Sequence, residues 1–224
     1  MRPNPRTAPS PSLPKVAAGR LYAIVDADIC AAADRAPADV ARAFLTAGAR
    51  WLQLRCKSMP SGEFLELTNL ILEQTREAGA ILIVNDRADV ARLSGADGLH
   101  IGQTDLAPPD ARTVIGATPI LGLSTHDEGQ WTAAVREPVS YIAIGPTFGT
   151  GTKDTGYSAV GLPIVTAAST AAREAGLPAV AIGGITLDNA ASVIEAGASS
   201  VAVISDLLKG DPEARCRAFL GMLA

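Results

Sequence analysis

The chain has 224 residues, of which 48% are apolar, 4% aromatic and 19% charged, with a formal net charge of −4. That composition supplies an aliphatic core for one sizeable domain and excludes a disordered chain, a collagen-like repeat and a disulfide scaffold. A mildly acidic chain is also a poor nucleic-acid binder, so any affinity for phosphate has to reside in a local site. Cys30, Cys56 and Cys216 are far apart and form no CxxC pair, as expected of packed thiols in a reducing compartment. No apolar run approaches the roughly 18 residues that span a bilayer, and the chain reads as cytoplasmic.

Residues 1–18 contain Pro3, Pro5, Pro9, Pro11 and Pro14 together with Arg2, Arg6 and Lys15, and no acid. The apolar segment of a secretory signal is missing, and the prolines would break the amphipathic helix of a transit peptide. We therefore expect a disordered Pro-rich extension over 1–18 and one folded domain over 19–224. From Leu21 onward, short aliphatic runs recur at 21–25, 51–54, 81–84, 99–101, 120–123, 141–144, 179–182 and 201–204. Between them lie segments of helical period, such as 39–47, 64–78 and 189–196. Several end in Gly-Ala (Gly48-Ala49, Gly95-Ala96, Gly197-Ala198). Phe64, Leu67, Leu70 and Ile71 read as the apolar stripe of the second. Alternation of this kind indicates βα units and a parallel sheet. Their number and the chain length fit a single (β/α)8 TIM barrel. An open doubly wound sheet would need a glycine-rich turn after the first strand, and Val25-Asp26-Ala27-Asp28 has none.

In such a barrel the chemistry sits where the strands' C-terminal ends meet the loops, and those ends are polar. After the seventh strand, Gly183-Gly184 would let backbone N–H groups approach an anion, with Thr186 capping the next helix. After the eighth, Ser205 would open a short helix whose N-terminus favours negative charge. Together they suggest a phosphomonoester site. Gln53, Arg55 and Lys57 alternate toward one side of the second strand, and Lys153 lies in the long polar loop after the sixth. Any one cation alone reads as a solvated rim charge, but the group suits a polyphosphate. Asp86 and Asp105 follow adjacent strands and suit Mg²⁺, which takes one or two carboxylates and completes its shell with water and phosphate; separately, each also reads as a helix cap or a loop acid. His100 and His126 lack the neighbours of a zinc site. His100 reads as a hydrogen-bonded interior residue, and a proton-transfer role for His126 stays open. The residues alone thus imply one monophosphate-like and one metal-assisted, diphosphate-like site on a single barrel face.

The run Asn85-Asp86-Arg87-Ala88-Asp89-Val90, continued by Gly95-Ala96-Asp97-Gly98-Leu99-His100-Ile101-Gly102-Gln103, closely resembles the thiamine-phosphate synthase family. So do Gln53-Leu54-Arg55-Cys56-Lys57, Gly122-Leu123-Ser124, Gly145-Pro146-Thr147-Phe148, Thr150-Gly151-Thr152-Lys153 and Gly183-Gly184-Ile185-Thr186. The resemblance runs from about residue 21 to 208. It implies a Mg²⁺-dependent transferase that couples hydroxymethylpyrimidine diphosphate to thiazole phosphate, giving thiamine phosphate and pyrophosphate. It further implies that Asp86 and Asp105 bind Mg²⁺, that Arg55, Lys57, Asn85 and Lys153 hold the diphosphate, and that Gln53 and Ser124 touch the pyrimidine. Thr150, Gly151, Thr152, Gly184, Ile204 and Ser205 would line the thiazole phosphate site. The implied mechanism is dissociative, with Arg55, Lys57, Lys153 and Ser124 as its catalytic residues and no role for Cys56. The partners are the two small-molecule substrates, with neither nucleic acid nor membrane; a homo-oligomer and a preference for carboxylated thiazole phosphate are left open. The alternatives are a thiazole tautomerase relying on His126, which needs neither the paired aspartates nor the cations, a phosphate-handling sugar isomerase, and a non-catalytic phosphate-ligand sensor on the same barrel.

Overall fold

The structure is a computed structural model that describes residues 19–149 and 158–224; the expected extension over 1–18 lies outside the described residues. Eight parallel strands form a closed barrel: β1 (Leu21–Asp26), β2 (Trp51–Arg55), β3 (Ile81–Asn85), β4 (Gly98–Ile101), β5 (Ile120–Thr125), β6 (Tyr141–Ile144), β7 (Ala179–Ile182) and β8 (Ser200–Val203). Each pairs with the next, and β8 returns to β1 through Leu21 opposite Val201. Around them run α1 (Ala27–Ala32), α2 (Pro37–Ala47), α3 (Ser61–Glu77), α4 (Ala88–Ser94), α5 (Pro108–Ile115), α6 (Glu128–Ala134), α7 (Gly161–Glu174), α8 (Ala190–Glu195) and α9 (Pro212–Met222), with a 3₁₀ turn at Ser205–Leu208. Among the described residues no helix is long and apolar enough to cross a membrane. The ring is closed by α9 against α2, where the buried Cys216 thiol lies 3.8 Å from the Phe44 carbonyl.

The strands are buried on both faces, which is why they read as continuous apolar runs rather than as alternating ones. Period two still sorts their residues. Leu21, Ala23 and Val25 of β1 join Leu52 and Leu54 of β2 in the layer beneath the helices. Tyr22, Ile24 and Trp51 point inward with Ile83, Tyr141 and Val180. The outer layer is mainly aliphatic, as composition requires. The interior departs from that expectation: Trp51 stacks on Tyr22 with centroids 3.9 Å apart, and Tyr141 stands edge-on to both. A closed barrel leaves a narrow central volume, and a few large rings fill it where many branched side chains would be needed. The apolar stripe of α3 also differs. Phe64 and Ile71 are fully buried, whereas Leu70 is 46% exposed, because it falls about a third of a turn off their line.

Glycine makes room for this plug. A Cβ added at Gly122 on β5 would lie 2.0 Å from Cζ and 2.3 Å from the hydroxyl of Tyr141. Gly122→Ala is therefore expected to lower unfolding stability by about 2 kcal/mol through overpacking, measured by urea denaturation; an unchanged midpoint would mean that the plug is loosely packed.

Candidate active site

Barrel closure brings all eight C-terminal strand ends to one rim, which encloses a cavity of about 710 Å³. Gln53, Arg55 and Lys57 all line it, as their alternation along β2 predicts. Asp26 ends β1 and caps α1: its Oδ1 accepts from the N–H groups of Asp28 and Ile29 at 3.1 and 3.2 Å. Its other oxygen pairs with Arg55. The guanidinium is thus held against a carboxylate that is itself only 1% exposed. Lys57 pairs with Asp86.

Asp86 follows β3 in the left-handed conformation, with φ 64°, and its N–H donates to the His100 carbonyl at 2.7 Å. A non-glycine residue seldom adopts this backbone, and here it turns the carboxyl to the rim. Asp105 accepts from the Gly102 N–H at 2.7 Å and shares a hydrogen bond with Asp86. Burial pushes both carboxyls up. For Asp86 the hydrogen bonds from Lys57 and Asp105 outweigh burial and hold it below its ordinary value, while Asp105, facing the charge of Asp86, stays above its own. Two carboxyls in contact accommodate one proton or one cation between them. Neither caps a helix: the residues that precede α4 and α5 are Arg87 and Ala107, both without a side-chain cap bond. Among the described residues no group of three or more His, Cys, Asp and Glu side chains is placed to hold a metal ion. A metal here would take two carboxylates and fill its remaining positions with water or substrate, which is the habit of Mg²⁺ and not of zinc. The donor set fits.

Below the rim, the buried Asn85 and a line of polar groups form the cavity floor. Gln53 donates to the Tyr22 hydroxyl at 2.8 Å, which lies 3.1 Å from that of Tyr141. His100 joins Tyr141 at 2.8 Å to Ser124 at 2.9 Å. His100 is thus the hydrogen-bonded interior residue expected, and it lines the cavity as well. The ring of His126 is held through Nδ1 by the Gly145 carbonyl at 2.5 Å. Cys56 packs in the outer layer, and burial, the largest cause, pushes its thiol up to about 12, far from a reactive thiolate.

Across the cavity stand Gly184, Ile204 and Ser205. Gly184 has φ 65°, and a Cβ there would meet the Gly149 carbonyl oxygen at 2.7 Å, so only glycine fits this turn. Thr186 enters α8 through its carbonyl, which accepts from the Asn189 and Ala190 N–H groups at 3.2 and 3.0 Å. Asn189, just before α8 and without a side-chain cap bond, accepts from the Thr186 N–H at 2.8 Å and donates to the Gly184 carbonyl at 3.1 Å. Ser205 does open a short turn, of the 3₁₀ kind. Its neighbour Asp206 is 3% exposed and joins three elements: Leu187 N–H at 3.1 Å, Lys209 at 2.7 Å and Arg215 of α9 at 2.6 Å. Thr150, Gly151, Thr152 and Lys153 lie outside the described residues. Sequence reasoning missed Asp26, Asn189, Asp206 and Lys209, whose partners are distant in the chain or common in turns.

Fold and rim define a TIM-barrel protein whose mouth sets two carboxylates and two cations opposite a glycine-lined turn. The family model for thiamine monophosphate synthase matches residues 21–207. The thiamine-phosphate synthase of Roseiflexus castenholzii is 42% identical over 207 residues, spanning 92% of this chain and 90% of that relative. That of Moorella thermoacetica is 44% identical over 170 residues, 76% of this chain and 80% of the relative. Among solved structures, the thiamine phosphate pyrophosphorylase from Pyrococcus furiosus superposes with a TM-score of 0.81 at 28% identity, covering 91% of this chain and 95% of that one. The chain belongs to the thiamine-phosphate synthase family.

Burial would raise the Asp206 carboxyl, but Lys209, Arg215 and the Leu187 N–H hold it below the usual aspartate range. A depressed folded-state value means that the ionised group contributes its full stability above the unfolded value of about 3.9 and loses it as the pH falls through the folded one. Asp206→Asn is expected to cost about 2 kcal/mol at neutral pH, less than a fully buried pair because Lys209 reaches solvent. The gap to wild type should narrow below pH 4 in urea melts. A gap independent of pH would mean that the carboxylate's charge is irrelevant.

Proposed function

We propose that this chain joins hydroxymethylpyrimidine diphosphate to thiazole phosphate, releasing thiamine phosphate and pyrophosphate. The observation that carries this reading is the pairing, in one cavity, of a rim at β2 and β3 that bears Arg55, Lys57, Asn85 and Asp86 with a glycine- and serine-lined turn at β7 and β8. A condensation of a diphosphate donor with a phosphorylated acceptor needs both anion sites within reach of each other.

In this reading Arg55, Lys57, Asn85 and Lys153 hold the diphosphate, and Gln53 and Ser124 orient the pyrimidine. Gly184, Ile204 and Ser205, with Thr150, Gly151 and Thr152, receive the thiazole phosphate. The donor's carbon–oxygen bond breaks first, its electron pair leaving on pyrophosphate, and the thiazole nitrogen's lone pair then forms the new carbon–nitrogen bond. No proton has to be removed from the nitrogen, so the demand on the protein is for charge stabilisation and alignment. Arg55 and Lys57 supply the first at the leaving group, and each is already aimed by a carboxylate, Asp26 or Asp86. Asp86 and Asp105 would hold Mg²⁺, whose positive charge offsets that developing on the leaving diphosphate. Cytoplasmic residence and a single domain over 19–224 complete the proposal.

The test is an assay of the purified chain with both substrates, with and without Mg²⁺, following thiamine phosphate and pyrophosphate. Equimolar products only with Mg²⁺ are expected; turnover in excess chelator would remove the metal from the account, and no turnover would overturn the function. Asp86→Asn should lower kcat/KM at least about tenfold while leaving thiazole phosphate affinity unchanged by calorimetry. Equal loss of both would contradict separate sites.

A further inference from the structure

Gln53 and Ser124 are the two ends of one unbroken hydrogen-bonded line, Gln53–Tyr22–Tyr141–His100–Ser124, with links of 2.8, 3.1, 2.8 and 2.9 Å. Tyr22 and Tyr141 are 1% and 0% exposed. Burial is the largest cause holding both phenols above their ordinary range, so each has one proton to place. The Gln53 amide nitrogen donates to Tyr22. Among the described residues, the other polar neighbour of the Tyr22 hydroxyl is Tyr141, which therefore receives the Tyr22 proton. Tyr141 then donates its own to His100 Nδ1. A neutral imidazole that accepts at Nδ1 carries its proton on Nε2, and that N–H donates to Ser124 Oγ. The Ser124 proton is left to point into the cavity that Ser124 lines.

We propose that Tyr22, Tyr141 and His100 are positioning residues that commit the Ser124 hydroxyl to donation, and so select a ligand that offers it an unprotonated ring nitrogen. This rests on the proposed function, in which the ligand at Ser124 is the pyrimidine. One choice sets the direction of the whole line. With the Gln53 amide turned over, every proton would move the other way, and Ser124 would face the cavity as an acceptor.

The direction is readable without turnover. The chain has two histidines, and the ring of His126 faces a carbonyl through Nδ1, so the two are expected in opposite tautomers. Nitrogen NMR of the histidine-labelled full chain at pH 8, with His126→Gln for assignment, should show His100 protonated on Nε2 and this preference lost in Tyr141→Phe. In the same variant KM for the pyrimidine diphosphate should rise roughly three- to tenfold, the range a neutral hydrogen bond carries, with KM for thiazole phosphate unchanged. Tyr22→Phe, which keeps the Tyr141–His100 link, should shift the pyrimidine KM less. His100 protonated on Nδ1 in the wild type, an unmoved pyrimidine KM in Tyr141→Phe, or an equal rise in both KM values would overturn the proposal. A wild-type chain that forms no thiamine phosphate would instead bring down the proposed function, and the nitrogen spectrum would still decide the direction of the line.

Discussion

A closed parallel barrel cannot spread its polar strand ends; it gathers them on one rim, over an interior too dry to hold an unbalanced charge. Charge compensation at that rim is the constraint on which the rest of this structure depends. Arg55 is matched by Asp26, Lys57 by Asp86, and Asp206 by Lys209 and Arg215. Each pair also fixes something else. Asp26 caps α1, Asp86 sits on a left-handed turn, and Asp206 bridges the loop after β7 to α9. The cations are therefore aimed before any anion arrives, which is what lets fixed charge stabilise a reacting group without reorganising.

The floor obeys a different rule. Tyr22, Trp51 and Tyr141 fill the barrel as an aromatic plug, and the two tyrosine hydroxyls, with Gln53, His100 and Ser124, form one hydrogen-bonded line. A buried polar group left unmatched is costly, so such a line is all-or-none and directional. Under the proposed function, rim and floor would divide the work accordingly, the rim binding charge and the floor reading the shape and proton pattern of a ring.

Much of this was legible in the sequence. The eight aliphatic runs coincide with β1 to β8 to within two residues at either end, because strands buried on both faces leave a continuous apolar trace. Gln53, Arg55, Asn85, Asp86, Asp105 and Ser124 stood at strand ends, where the fold puts chemistry, and they meet in one cavity. What escaped is tertiary. Asp26 looks like any loop acid until Arg55 arrives from 29 positions away, and Asp206 acquires its meaning from α9 and the loop at Leu187. Asn189 was overlooked beside the more obvious Thr186. Leu70 was read into the apolar stripe of α3, although the helical angle turns it outward. The aromatic interior was invisible because so few aromatics in the whole chain gave no hint that they would cluster.

The central claim is that one rim carries two separate anion sites. Calorimetric titration of pyrophosphate with Mg²⁺ and of thiazole phosphate, each alone and then in the presence of the other, tests it most directly. The account predicts one equivalent of each, with neither displacing the other. Mutual displacement, with a single shared equivalent, would contradict it.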